Sequence, residues 1–266
     1  MKQLKLMVLT LTLLMGTMFT SCMDSGESGP QQWAGVVKVN DRMGYVTFTD
    51  AAGTELIPTN TIPVTLNARM AYIYCQVDEG QDLSTNPKSI KITLLADPTG
   101  IDATAITTPK VESSDVTTNA PVGSLSFASG YSTVAPFQFS ENTIVLPVLY
   151  RAKNVTTTED IKNELAKHTF TLVCYTDDIK SGDTILKLYL RYKVEDEPAA
   201  IAERATRTSS FKAYEISQIL REYTLKSGQA KPAKITIVAQ QNEYNNKLED
   251  TSTIEKVYEI EYKTAE

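Results

Sequence analysis

Residues Thr184 to Val194, TILKLYLRYKV, alternate with period two. Leu186, Leu188, Leu190, Tyr192 and Val194 fall on one side, and Lys187, Tyr189, Arg191 and Lys193 on the other. A strand sends successive side chains to opposite faces, so this run is predicted to be a half-buried strand. The pattern recurs at Trp33–Val39, Gly44–Thr49, Ser89–Ala96, Asn142–Ala152, Ala233–Gln240 and Ile254–Tyr262. In Arg69–Val77, Ala71, Ile73, Cys75 and Val77 oppose Met70, Tyr72, Tyr74 and Gln76. Turn-forming clusters separate the runs, among them Asn40-Asp41-Arg42, Asp50–Gly53 and Asn242–Asp250. Short alternating segments between turns specify an all-β chain.

The spacing divides the chain in two. Five runs fall within residues 33–100, counting Glu55–Thr59, where Pro58 argues for an edge or a bulge. Closing so short a sheet removes its exposed edges, so a small OB-like barrel is expected there. Residues 101–121, rich in Thr, Ser, Pro and Asp, are expected to be a linker, with Asp97–Gly100 a turn just before it. From 122 to 266 six or seven further strands predict an immunoglobulin-like antiparallel β-sandwich. The likeness is architectural, because the Cys–Trp–Cys mark of antibody domains is missing. One short helix is expected from Thr158 to Lys167, where a hydroxyl cap and acidic first turn precede Ile161 and Leu165 at i, i+4. Thr169–Thr176 and Thr184–Val194 form a predicted hairpin around Asp177–Asp183, and Glu195–Arg204 reads as a loop. Thr206–Tyr214 is expected as a strand, followed by a helical turn over Ile216–Tyr223.

The first residues say where such a chain resides. Lys2 and Lys5 precede an apolar stretch from Leu6 to Phe19, and Thr20-Ser21-Cys22 follows. This is the order of a secretory signal peptide, residues 1–21, and the stretch is shorter than the ~20 residues of a permanent span. Phe19-Thr20-Ser21-Cys22 resembles the lipobox of bacterial lipoproteins, with phenylalanine where leucine is commoner. The resemblance implies cleavage before Cys22, a diacylglycerol on its thiol and a fatty acyl group, such as palmitate, on its new amino group. Residues 22–32 then act as a lipidated tether, and the protein sits in the outer membrane, facing the periplasm or the cell surface. Asp24 and Glu27 loosely resemble the surface-export signals of Bacteroidetes lipoproteins. Removing Lys2 and Lys5 moves the formal charge from -6 to -8. So acidic a chain is poorly suited to a phosphate backbone, and nucleic acid is not an expected partner.

The lipobox, the barrel opening at Trp33, and a sandwich containing LKLYLRYKV and SSFKAYEIS together resemble the NigD-like lipoproteins of Bacteroidetes. That family joins an OB-like domain to a β-sandwich and takes its name from a gene of a bacteriocin-production operon. The resemblance implies this architecture across the mature chain and no particular activity.

Reactive groups are scarce. His168 is the only histidine, no GxSxG elbow accompanies it, and a helix-end or plain surface position is expected for it. Cys75 and Cys174 lie in apolar strands of different predicted domains, which favours buried thiols over a disulfide. One histidine and two such cysteines leave too few ligands for zinc, and no glycine-rich phosphate cradle occurs, so no cofactor is expected. Asp177, Asp178 and Asp183 gather near Gly182 and offer oxygen ligands for calcium, although the order departs from an EF-hand and Lys180 opposes a cation. Glu112 with Asp115, or Glu195 with Glu197, supply carboxylates for sugar cleavage only in a cleft of set separation. Tyr72 and Tyr74, opposite the interior set of their strand, are the ligand-binding candidates, since OB barrels present aromatics for stacking. The leading expectation is a non-enzymatic lipoprotein that binds or scaffolds a protein or glycan. A glycan-binding accessory protein and a bacteriocin immunity or accessory protein are the alternatives.

Overall fold

The alternation in the first part of the chain closes on itself. The computed structural model describes residues 31–42, 45–60, 66–81, 83, 87–109, 117–129 and 132–264. The signal peptide, Cys22, Asp24 and Glu27 lie outside the described residues, as do Glu112 and Asp115. Two units are distinguished. One runs up to Ala103 and includes Ala128–Val134; the other comprises Thr104–Phe127 and Ala135–Glu266.

The first unit contains β1 (Gln32–Arg42), β2 (Tyr45–Thr49), β3 (Glu55–Pro58), β4 (Met70–Val77), β5 (Ser89–Leu94) and β6 (Thr99–Ile101). β1 pairs antiparallel with β2 and with β4, setting Lys38 opposite Thr49 and Val37 opposite Ala71. β2 and β3 are antiparallel, β3 and β5 are parallel with Leu56 opposite Ile90, and β5 returns to β4 with Leu94 opposite Cys75. The circuit β1-β2-β3-β5-β4-β1 is a closed five-stranded barrel of OB-like order, to which β6 adds alongside β4. Inside lie Trp33, Val37, Phe48, Leu56, Ile73 and Cys75, each taken out of water by the alternation. Full burial of one such side chain contributes about 1.5–3 kcal/mol. Pro58 does not mark an edge: it is the last residue of a strand paired on both sides, where its missing N–H falls at the end of the ladder. The β2–β3 turn is held by Asp50, whose Oδ1 accepts the Ala52 and Thr54 N–H groups, while Gly53 takes φ 87°. Asp97–Gly100, expected as a turn, gives its last two residues to β6.

The chain continues through β7 (Ala103–Ala105), β8 (Phe127–Ser129), β9 (Ser132–Val134), β10 (Phe137–Ser140), β11 (Thr143–Ala152), α1 (Thr158–Ala166), β12 (His168–Val173), β13 (Ile185–Val194), α2 (Pro198–Ala202), β14 (Thr206–Glu215), α3 (Ser217–Ser227), β15 (Lys234–Gln241) and β16 (Ile254–Glu261). β8 and β9 form a two-stranded ribbon. The second unit is built on two four-stranded sheets, β10-β11-β14-β7 and β12-β13-β15-β16. Ile144, Leu146, Val148 and Tyr150 of β11 share one core with Leu186, Leu188, Leu190 and Tyr192 of β13 and with Ile235 and Ile237 of β15. This is the all-β barrel-and-sandwich class read from the sequence.

Three particulars differ. The sandwich is not wholly antiparallel, because β13 and β15 are parallel, with Leu188 opposite Ile237. A parallel neighbour needs a long connection, and residues 195–233 supply it by way of α2, β14 and α3. Among the described residues there are three helices in place of one. Pro198 starts α2 inside the expected loop, at the position where its missing N–H costs least. The expected helical turn extends to Ser227, buries Ile219 and Tyr223, and stops at Gly228, whose φ of 73° suits a residue without Cβ. The cap of α1 is Thr157, whose Oγ1 accepts the Asp160 N–H at 3.1 Å, one residue before the expected hydroxyl.

Candidate functional site

β11 and β14 run antiparallel in unbroken register for ten residues, and the register sets Arg151 directly opposite Arg207. Strand parity puts both on the face away from the core, since Tyr150 and Ala152 point inward. The segment Val122–Ser126 passes beside β11, where the Gly123 and Ser124 N–H groups both donate to the Leu149 carbonyl. A cavity of about 230 Å³ opens between these pieces and the end of the β15–β16 hairpin. Arg151, Arg207, Lys256, Glu243, Ser124 and Ser126 line it.

The site is cationic. Arg151 donates to the Ala205 carbonyl at 3.0 Å and the Glu243 carbonyl at 2.7 Å, which orient its guanidinium without neutralising it. Burial and then the Arg207 charge lower the Arg151 pKa from its usual value. Lys256 lies 5.3 Å from the Tyr258 ring centroid. Glu243 is the one carboxylate of the lining, and its Oε1 accepts from the Gln241 amide at 3.1 Å. Ser124 and Ser126 face each other at 3.1 Å, and the Ser124 hydroxyl is 3.5 Å from that of Tyr258. Strand parity alone puts Arg151 outward, but nothing local in the sequence pairs it with Arg207.

The residues singled out from the sequence lie elsewhere. Tyr72 and Tyr74 do face away from the barrel interior. Tyr72 is half-buried, whereas Tyr74 is 39% exposed and its hydroxyl donates to the Gln32 side chain. The loop holding Asp177, Asp178 and Asp183 does not bring its carboxylates together. Lys226 reaches Asp177 Oδ1 at 2.7 Å, Asp183 Oδ2 accepts the Lys180 N–H at 2.7 Å, and Asp178 ends a 3-10 turn. No group of three or more His, Cys, Asp or Glu side chains placed to hold a metal occurs among the described residues.

His168 is not at the surface. It opens β12 with its ring buried, Nδ1 2.6 Å from the Tyr192 hydroxyl and Nε2 3.3 Å from Glu164 Oε1. Glu164 also takes the Arg204 guanidinium at 2.7 and 3.1 Å, and Arg204 reaches Asp196 at 3.1 Å. This network ties α1 to the segment after α2, and none of its residues lines the cavity described above. Cys75 and Cys174 are free and buried, and burial pushes both thiols up to about 12.

No family model matches the chain, and no curated protein matches it. Among solved structures, a candidate lipoprotein of Bacteroides fragilis is 95% identical and superposes with a TM-score of 0.82, over 89% of this chain and 100% of its own. The chain belongs to that Bacteroides lipoprotein family. The Bacteroidetes lipoprotein assignment read from the lipobox and the two β modules is thereby borne out. A Bacteroides vulgatus protein of unknown function, 12% identical, shares the fold at a TM-score of 0.53 over 87% of this lipoprotein and 91% of its own chain. A NigD-like immunity protein of Bacteroides caccae aligns at 0.49, with 9% identity, over 84% and 90% of the two chains. No described helix of the lipoprotein is long and apolar enough to cross a membrane.

Proposed function

We propose that this lipoprotein is held in the outer membrane through Cys22 and uses its sandwich unit to bind a ligand that it does not convert. The observation that carries the reading is the cavity itself, which offers cations, hydroxyls and one carboxylate without a nucleophile poised against a base. Its serines hydrogen bond to each other, and Ser124 also to Tyr258. The one histidine is engaged by Glu164 and Tyr192, and both thiols are buried, which supports binding over group transfer. A second reading puts a glycan on the outer barrel face, where Tyr74 presents an exposed ring with its hydroxyl already oriented.

Two measurements test the proposal. Metabolic labelling with a fatty-acid probe is expected to mark the wild type and not Cys22→Ser; equal labelling of both would remove the anchor. Mass spectrometry of small molecules released from the protein after incubation with cell-wall and glycan extracts is expected to return bound compounds unchanged. Products that accumulate with time, and vanish when the cavity is altered, would make the protein an enzyme.

A further inference from the structure

We propose that the cavity around Arg151, Arg207 and Lys256 receives the acid group of a saccharide, a sugar unit bearing a carboxylate or a sulfate. This rests on the reading of the lipoprotein as a binding protein and names its ligand class. Like charges directly opposite on neighbouring strands destabilise a sheet, yet Arg151 and Arg207 occupy such a pair on one face. The Arg151 guanidinium has only carbonyls as partners, and beyond its backbone pairing in the ladder Arg207 makes no side-chain hydrogen bond or ion pair among the described residues. Acidic residues outnumber basic ones 32 to 26 in the chain, so three cations around a single carboxylate in its concave site run against the average. An incoming oxyanion removes the repulsion and takes the planar, forked donors that guanidinium groups offer.

The rest of the lining separates a sugar acid from a bare anion. Glu243 would repel free phosphate or sulfate, but its carboxylate accepts hydrogen bonds from hydroxyls, which a sugar ring supplies. Ser124 and Ser126 add hydroxyls that both donate and accept. At about 230 Å³ the cavity falls below the roughly 300 Å³ where drug-sized pockets begin, so it takes one ring or a terminal group. Tyr244, the residue after Glu243 in the chain, is 76% exposed. Its loop is already ordered by buried Asn242, whose Oδ1 accepts the Tyr244 N–H at 2.8 Å and the Asn245 N–H at 3.1 Å, and whose Nδ2 donates to Thr253 Oγ1 at 3.0 Å. Ordering before binding lowers the entropy lost on binding.

Isothermal titration of the mature, unlipidated chain tests this with a galacturonate disaccharide and a sulfated chondroitin disaccharide. Neutral lactose, sodium sulfate and acetate at matched ionic strength, and diglycine are the comparators. One of the two acid disaccharides is expected to bind one-to-one, at least tenfold more tightly than every comparator. Arg207→Glu is expected to weaken that binding at least tenfold while leaving the melting temperature unchanged or raised, because it sets an opposite charge across from Arg151. A purely structural Arg207 would give the reverse, a lowered melting temperature with binding intact. Equal binding of neutral and acid sugars, preference for a free anion or diglycine, no binding of either acid disaccharide, or full affinity in Arg207→Glu would each overturn the ligand class. The non-enzymatic reading would be left to the mass-spectrometric test above.

Discussion

Replacing Arg204 with methionine is expected to destabilise the sandwich unit by about 3–5 kcal/mol, the usual cost of breaking a buried ion pair from one side. Arg204 is 1% exposed and Glu164 5%, and the guanidinium holds both carboxylate oxygens. Without it Glu164 stays buried beside His168 with only the Lys153 N–H, at 2.8 Å, as a strong donor. Adding Glu164→Leu to Arg204→Met should recover part of the loss, since an apolar pair of similar volume needs no desolvation of charge. Urea unfolding followed by tyrosine signals of the sandwich measures both variants. A loss below 1 kcal/mol for the single variant would mean that the pair is hydrated and unimportant. Acid acts on the same network. Burial alone would raise the Glu164 pKa, but the Lys153 N–H and Arg204 outweigh it and hold the carboxyl below its usual value. Its stabilising share is therefore complete above the unfolded value, near 4.3, and is lost as pH falls through the folded one. His168 is lowered chiefly by burial, so the unfolded chain takes up its proton first, below about 6.5, and stability falls in the same direction. Wild type should lose stability steadily from neutral pH to pH 3, and Arg204→Met should lose less of it.

Phe48→Ala should cost the barrel about 3–5 kcal/mol, as for other buried phenylalanines cut to alanine. Phe48 is fully buried, stands opposite Val39 and Leu56 on the neighbouring strands, and belongs to a core separate from that of the sandwich. The chain has one tryptophan, Trp33, and it lies in this barrel core. Its fluorescence therefore reports the barrel alone. The tryptophan transition should move to lower urea while sandwich tyrosine signals keep their midpoint. Equal movement of both would show that the two units unfold together.

The strands were legible because alternation is a local signal. Ala71, Ile73 and Cys75 were expected inside the barrel and are there, and Leu186 through Val194 fill the sandwich core as their parity requires. The parallel pairing of β13 with β15 was not legible, since it depends on a connection that crosses to the other sheet. The candidate site was hidden for the same reason. Arg151 and Arg207 are ordinary outward residues of separate strands until the β11–β14 register sets them opposite one another. His168 was misplaced because its burial depends on Arg204 and Tyr192, both distant in sequence, to satisfy Glu164 and the ring. The three aspartates are close in sequence, but the Lys226 ammonium takes Asp177 and the Lys180 backbone N–H takes Asp183.

Amide chemical-shift mapping of the mature chain, titrated with the sulfated chondroitin and galacturonate disaccharides, tests most directly where this lipoprotein binds. The account predicts saturating shifts centred on Ser124, Arg151, Arg207, Glu243 and Lys256, abolished in Arg207→Glu. Shifts centred on Tyr72 and Tyr74 of the barrel, or no saturating shifts with either sugar, would contradict it.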